Sequence, residues 1–309
     1  MDTRASLLET AKPAVFRHAA GDLPIGQRTL LMGVVNVTPD SFSDGGLYFD
    51  AQAAGEYALS LASEGADILD IGAESTRPGS LPISTEEELG RLLPVLEAVA
   101  SKTTVPISVD TYKASVADIA LKSGAVIIND ISGFHFDPAL PEICARHKAG
   151  VILMHIKGTP RDMQRDPTYG DLLGEITAYL KEGIERANEA GIERERILLD
   201  PGIGFGKTFD DNYRLIAGLR KLAALGFPLL AGPSRKGFTG EFSKLPPHKR
   251  QFATAAAVTL SILCGASLVR VHDVAQMREV ASIADRFLRV TSGQWQGNTN
   301  RADDPRASR

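Results

Sequence analysis

The 309-residue chain has two cysteines, one tryptophan and no surplus of positive charge. Cys144 and Cys264 are too few for a disulfide framework or a cysteine-rich metal site, and they favour a reducing compartment. Against 38 acidic residues stand 34 basic ones, a net charge of −4, which removes the basic excess that DNA or RNA binding needs. Gly 29 and Pro 17 exclude a collagen-like or low-complexity chain. The N-terminus has no apolar core after a basic start, so no secretory signal is expected. One uncharged stretch, 251–269, is long enough to span a bilayer. It is rich in Ala, Thr and Ser and broken by Gly265, and it reads as a buried helix (247–264) turning into a strand (267–272). The expectation is a cytoplasmic protein with neither a membrane nor a nucleic acid as partner.

What is present is an alternation. Short apolar, β-branched runs occur at 29–37, 66–73, 105–111, 126–131, 150–156, 197–202, 227–233 and 267–273. Each is nearly all hydrophobic until its end, as a strand buried on both faces of a parallel sheet reads. Helical patterns lie between them, among them 51–64, 84–101, 113–123, 170–190, 209–224 and 274–290. Alternation of this kind implies a parallel sheet with right-handed crossovers. Eight units favour an α/β fold of the (β/α)8 TIM-barrel type, a single domain over 29–291. Residues 1–28 read as an N-terminal extension, and 14–30 is expected to make a hairpin across the barrel floor. Residues 292–309 read as a flexible C-terminal tail.

Polar residues fall at the strand ends. In order they are Asn36, Asp70 with Glu74, Asp110, Asn129 with Asp130, His155, Asp200, Ser234-Arg235-Lys236, then Arg270 and His272. In a barrel these ends converge on one face, where active sites of this fold sit. Turn preference alone explains any single one of them, but eight in register argue for a shared site. Carboxylates and amides side by side (Asp110, Asn129, Asp200) suit a heterocycle with N–H donors and ring-nitrogen acceptors. Arg, His and strand-to-helix amides suit a phosphate. The ring therefore describes a nitrogen heterocycle carrying an anionic group.

Three loops add detail. Residues 36–50, with Pro39, Gly45, Gly46, Phe42 and Tyr48, are long enough to be a mobile lid. Residues 74–84 join Arg77 to Pro78 and Gly79 as a second lid, and 232–240 set two cations in a glycine-flanked turn. DPGIGFGKT (200–208) matches neither Walker A nor G-x-G-x-x-G spacing and reads as a tight turn letting backbone approach a ligand beside Asp200. His18, His135, His147 and His248 lie outside the ring and read as surface or helix residues. Glu86 to Glu88, Asp118 and Glu193 to Glu195 read as solvated helix faces or starts, the cysteines as core, and Trp295 as packing on the barrel.

From about residue 29 to 290 the chain resembles the dihydropteroate synthase family. The carriers are MGVVNVTPDSFSDGG, GADILDIGAESTRPGS, PISVDT, INDISG, MH-x-KGTPRDMQ, LDPGIGFGKT, GPSRKGF and VRVHDV, in that order. The resemblance implies a transferase of folate biosynthesis. It would condense 6-hydroxymethyl-7,8-dihydropterin pyrophosphate with 4-aminobenzoate to give 7,8-dihydropteroate and pyrophosphate. It implies that Asp110, Asn129, Asp200 and Lys236 hold the pterin, with Met154 also touching substrate. Arg270 and His272 would bind pyrophosphate, with Asn36 near it through Mg2+. The loops carrying Asp40 and Phe42, and Ser75, Thr76 and Arg77, would close over the site, while Phe205, Lys236 and Pro78 border the aminobenzoate. Asp110, Lys236 and Arg270 are the catalytic candidates. The implied mechanism is SN1-like: pyrophosphate leaves the pterin methylene first, Asp110 stabilises the ring cation, and the aniline nitrogen attacks without a strong general base.

One position departs from the pattern. Many family members have a serine after Ser-Arg-Lys that helps hold the aminobenzoate carboxylate; here it is Gly237. The competing expectations are a non-catalytic pterin-binding paralogue and a barrel of the methyltetrahydrofolate corrinoid methyltransferase type. The resemblance also implies a homodimer packed through barrel helices.

Overall fold

The computed structural model describes residues 14–37 and 47–292. Eight parallel strands form the sheet: β3 (Leu30–Asn36), β4 (Ile68–Gly72), β5 (Ile107–Asp110), β6 (Ile127–Asp130), β7 (Gly150–Met154), β8 (Ile197–Asp200), β9 (Leu230–Ala231) and β10 (Leu268–Val271). Their spatial order is β8-β7-β6-β5-β4-β3-β10-β9. A parallel bridge between Leu199 and Leu229 joins the two ends, so the sheet closes into the expected barrel. The helices on the outside are α1 (Leu47–Ser63), α2 (Thr85–Ala100), α3 (Ala114–Lys122), α4 (Leu140–Arg146), α5 (Leu172–Glu189), α6 (Phe209–Ala223), α7 (Gln251–Leu263) and α8 (Val274–Thr291). Helix α6 starts on a capping box, with the Thr208 hydroxyl and the Asp211 carboxylate satisfying each other's backbone N–H. The uncharged stretch is α7 followed by β10, as its glycine break implied, and no described helix is long and apolar enough to cross a membrane.

Alternation along each strand sorts the side chains. Leu31, Leu69, Val109, Ile128 and Leu199 face outward and form one continuous apolar layer with the helices. Leu30, Met32, Ile68, Ile127, Ile152, Leu198, Leu230 and Leu268 face inward and fill the lower barrel. The floor is sealed by the expected hairpin, β1 (Ala14–His18) paired antiparallel with β2 (Gly21–Ile25). Its Phe16 and Ile25 join the inward cluster. Gly150 at the foot of β7 makes this closure possible, since a Cβ there would stand 2.8 Å from the Phe16 ring and 3.1 Å from the Arg17 carbonyl. His18, expected at a surface or in a helix, is instead a buried strand residue of this hairpin.

On five of the strands the next inward position turns polar. Ile68 is followed by Asp70, Ile127 by Asn129, Leu198 by Asp200 and Leu268 by Arg270, and on β5 the buried Ser108 by Asp110, while Met32, Ile152 and Leu230 are followed by Val34, Met154 and Gly232. This single step of the pleat creates the site.

Candidate functional site

The inward groups meet. The Arg270 guanidinium donates through Nε to Asp70 at 2.7 Å and through Nη2 to Asp110 at 3.0 Å. Asn129 donates to the same Asp70 oxygen at 3.1 Å. Asp110 reaches the barrel axis past Gly72, where a Cβ would stand 3.2 Å from its own. Asp200 is oriented by the Gly202 N–H, 2.7 Å from Oδ1. The Lys236 ammonium sits 3.9 Å from the centroid of the Phe205 ring. One recess is lined by Asp110, Asn129, Met154, Asp200, Phe205, Lys236 and Arg270, with Ile131, Ile203 and Gly232 completing its walls. Asn36 lies on the inner face of β3, in a register row running through Gly72 and Asp110 to Asn129. A wider groove on the outer wall, between α1 and α2, is lined by Gln52, Glu56, Leu59 and Lys102 and holds none of these residues.

Burial shapes the charges. Burial pushes the Asp110 carboxyl up, with the Asp70 carboxylate adding to it and the Arg270 guanidinium opposing. The same burial raises Asp200 against its Gly202 hydrogen bond and the Lys236 charge. Lys236 is pushed down to about 8 by burial and by Arg270, with Asp200 and Asp110 resisting. Arg270 is buried too, but Asp70 and Asp110 hold its pKa above the usual value. His272 is lowered to about 3 by burial and by Arg235 and Arg270, so it is neutral; its Nδ1 lies 3.0 Å from the Ser234 hydroxyl.

Not every strand-end group belongs to the ring. Asp130 follows inward Asn129, so it faces out, and its carboxylate binds the Ser132 and Phe134 N–H groups at 2.7 and 2.6 Å. His155 follows inward Met154 and takes the buried Lys207 ammonium at 2.9 Å. Arg235, at φ 59, turns to Asp273 at 2.7 Å, so only one of the two adjacent cations serves the recess. Glu74 binds Tyr112 and Lys113 below the 74–84 loop. Thr76 is half-buried and Arg77 and Pro78 are exposed on that loop, outside the recess. Asp40 and Phe42 lie outside the described residues, as do most of the 36–50 lid and Trp295.

The glycine-rich turn behaves as its spacing implied. Gly202, Gly204 and Gly206 have φ of 73, 83 and 63, and a Cβ on Gly202 would overlap the His155 carbonyl at 1.8 Å. Sequence reasoning missed Lys207, which lies beneath this turn, bound to His155 and to the Phe205 carbonyl at 3.0 Å. Burial brings its pKa down to about 7. The walls Ile131 and Ile203 carry no polar strand-end signal that would mark them in the sequence. Glu88, expected on a solvated face, is buried and pairs with Lys113 at 2.6 Å.

Residues 32–272 match the family described as pterin binding enzyme. The dihydropteroate synthase of Bacillus subtilis is 46% identical over 262 residues, covering 85% of this chain and 90% of the relative. The structure of Xanthomonas albilineans dihydropteroate synthase with 4-aminobenzoic acid superposes with a TM-score of 0.83 at 42% identity, covering 89% of this chain and 98% of that one. The same enzyme in complex with 7,8-dihydropteroate gives a TM-score of 0.76 at 41% identity over 84% of this chain and 94% of that one. With this identity spread over nearly all of the barrel, the chain belongs to the pterin-binding enzyme family, among the dihydropteroate synthases.

Proposed function

We propose that this recess condenses 6-hydroxymethyl-7,8-dihydropterin diphosphate with 4-aminobenzoate, giving 7,8-dihydropteroate and diphosphate for folate biosynthesis. The observation that carries the reading is the convergence of Asp110, Asn129, Asp200 and Lys236 on one recess, beside Arg270 and Phe205. Asp200 keeps one oxygen on Gly202 and offers the other to a ring N–H and amino group. Asn129, fixed by Asp70, presents an amide oxygen that is buried without a partner and would accept from the bicycle. Asp110 stands where positive charge develops on the pterin as the methylene C–O bond breaks and its electron pair leaves with diphosphate. Arg270 and Lys236 supply positive charge to the leaving group. The aniline lone pair then forms the C–N bond and its proton passes to solvent. Phe205, under Lys236, provides a flat wall for the aminobenzoate ring. Closed loops would keep water from the intermediate. His272 is neutral and held by Ser234, so its part would be to position diphosphate rather than to move a proton.

The family implies Mg2+ at Asn36. An amide oxygen on the inner face of β3, next to the strand that carries Arg270, fits an ion that takes few protein ligands and fills its octahedron with water and phosphate oxygens. When bound, Mg2+ would neutralise charge on the leaving diphosphate.

The same reading includes a homodimer in the cytoplasm. Supporting the dimer, α7 and α8 pack together and expose Phe252 (93%), Ile283 (73%) and Phe287 (56%), a face that a second copy would cover. Light scattering on the purified protein gives twice the chain mass if this holds. The test of the reaction is incubation with both substrates and Mg2+, following diphosphate and dihydropteroate. Equimolar release of the two products is expected. Pterin binding without diphosphate release would overturn the reading.

A further inference from the structure

The 74–84 loop is tied at its base by an unusual arrangement. All three N–H groups of the Lys113 ammonium are in use, donating to Glu74 at 2.5 Å, to the Ile83 carbonyl at 2.7 Å and to Glu88 at 2.6 Å. Glu74 opens the loop and Ile83 ends it, and the Ile83 N–H returns a bond to the Glu74 carboxylate at 3.4 Å. Both acids are out of solvent, with side chains 6% and 2% exposed. Burial works against the lysine charge, yet the two acids hold its pKa above the ordinary value.

Two carboxylates against one ammonium is not an efficient way to stabilise a fold. A buried ion pair of this kind is often matched or bettered by apolar residues of the same size. What it does supply is a fixed geometry. The other Glu74 oxygen accepts from the Tyr112 hydroxyl at 2.7 Å. The Tyr112 ring stands edge-on to Phe136 at 5.4 Å, and both pack on the cluster of Ile131, Met154 and Phe205 that walls the recess. At the far side, the Gly79 N–H donates to the Pro160 carbonyl at 2.9 Å. Gln164, on that same connection, reaches the Gly204 carbonyl at 3.2 Å in the turn that carries Phe205. Residues 75–78 are thus strung between two fixed points, Glu74 and Gly79, and both points are tied to the Phe205 wall.

We propose that Glu74, Lys113 and Glu88 are positioning residues: one ammonium staples both ends of the 74–83 loop so that Thr76, Arg77 and Pro78 are held toward the 4-aminobenzoate side of the site. The proposal rests on the reaction assigned above. None of the three touches the recess. Their effect falls on the second substrate and not on the pterin, whose partners Asp110, Asn129 and Asp200 sit on the strands.

Glu74→Met tests this while leaving Lys113 and Glu88 as a balanced pair. The KM for 4-aminobenzoate should rise about tenfold or more, with affinity for the pterin diphosphate within about twofold of the parent, since small misplacement of a binding element is felt steeply. Hydrogen exchange at the amides of residues 75–82 should quicken by about tenfold as the loop opens locally. Glu74→Gln, which keeps an acceptor for Tyr112 and Lys113, should restore most of the KM. An unchanged aminobenzoate KM overturns the proposal, as does an equal loss for both substrates, or a glutamine no better than methionine. If Glu74→Met does not fold, Lys113→Arg reads the same split between the two substrates. If the parent protein makes no dihydropteroate, the reaction reading fails by itself, and the exchange measurement still decides whether the staple holds the loop.

Discussion

Asp200→Asn separates pterin recognition from folding. In the native site Oδ1 takes the Gly202 N–H at 2.7 Å, and an asparagine oxygen can keep that bond. The other oxygen becomes an NH2 group, so the two lone pairs proposed to accept from the pterin ring N–H and amino group give way to donors facing donors. Each hydrogen bond to a charged group contributes roughly 1.5–3 kcal/mol, so losing two removes about 3–6 kcal/mol. That corresponds to about 10²- to 10⁴-fold in affinity. Stability should move little. Burial raises the folded-state pKa of Asp200, so its ionised form disfavours the folded state near neutral pH, and replacing it removes that penalty along with its attraction to Lys236. The assay is titration calorimetry with the pterin diphosphate, beside thermal denaturation. A variant that melts like the parent and binds pterin within about threefold of it would refute the reasoning about charged acceptors.

Lys207→Met probes the buried ammonium under the turn. Its folded pKa is about 7 against an unfolded value of 10.5, so between those limits the unfolded chain holds one more proton and native stability gains as pH rises. The denaturation free energy of the parent should therefore improve relative to Lys207→Met from pH 7 to 10; a constant difference would show that Lys207 keeps its proton. Gly202→Ala should abolish pterin binding, because its Cβ would lie 1.8 Å from the His155 carbonyl, whereas Gly191→Ala, at φ 82 with nothing within 4 Å, should cost only about 1 kcal/mol in melting experiments. Gly237→Ser should lower the KM for 4-aminobenzoate about fivefold by adding a hydroxyl donor of about 1 kcal/mol; its Cβ meets only the half-exposed Phe209 ring at 3.3 Å. Chelating Mg2+ should slow turnover, and Asn36→Ala should raise the Mg2+ concentration for half-maximal rate; an unchanged requirement would remove Asn36 as a ligand.

The barrel was legible because strands buried on both faces read as short apolar runs, and eight of them alternate with helices. The same feature hid which way the strand ends point. In a run that is apolar throughout, the period of two is invisible, so Asn129 and Asp130 look equivalent. The inward plug Ile127 decides that Asn129 enters the site and Asp130 does not. Likewise Arg235 and Lys236 are separated only by the left-handed backbone at Arg235 and by Asp273 waiting beside it. Helix α4 is legible only as the helical stretch around Cys144, because seven residues with Pro141 near the start make too short a period to bound it. Glu88 could have been found: it shares a helical face with Leu92, Val95, Leu96 and Val99, all buried, so a charge there needed a partner. That partner, Lys113, lies on another element, and only the fold brings them together.

The ring's charges also suit a pterin and a diphosphate carried on one molecule. Arg270 is held between the fully buried Asp70 and the largely buried Asp110, and Lys236 feels the negative charge of Asp200 and Asp110. Each cation is thus already matched by an acid, and burial drives both partners toward neutrality: Asp110 upward, Lys236 downward to about 8. A heterocycle that donates N–H bonds to Asp200 engages acid that would otherwise face Lys236. A diphosphate arriving on the same molecule then restores the favourable field for the ammonium and the guanidinium. Either half alone leaves one sign of buried charge poorly compensated, which in a low-dielectric recess is costly. The discrimination therefore resides in the balance of Asp70, Asp110, Asp200, Lys236 and Arg270 rather than in any one contact, and it requires the strands that carry the acids and the arginine to change from apolar to polar within one pleat.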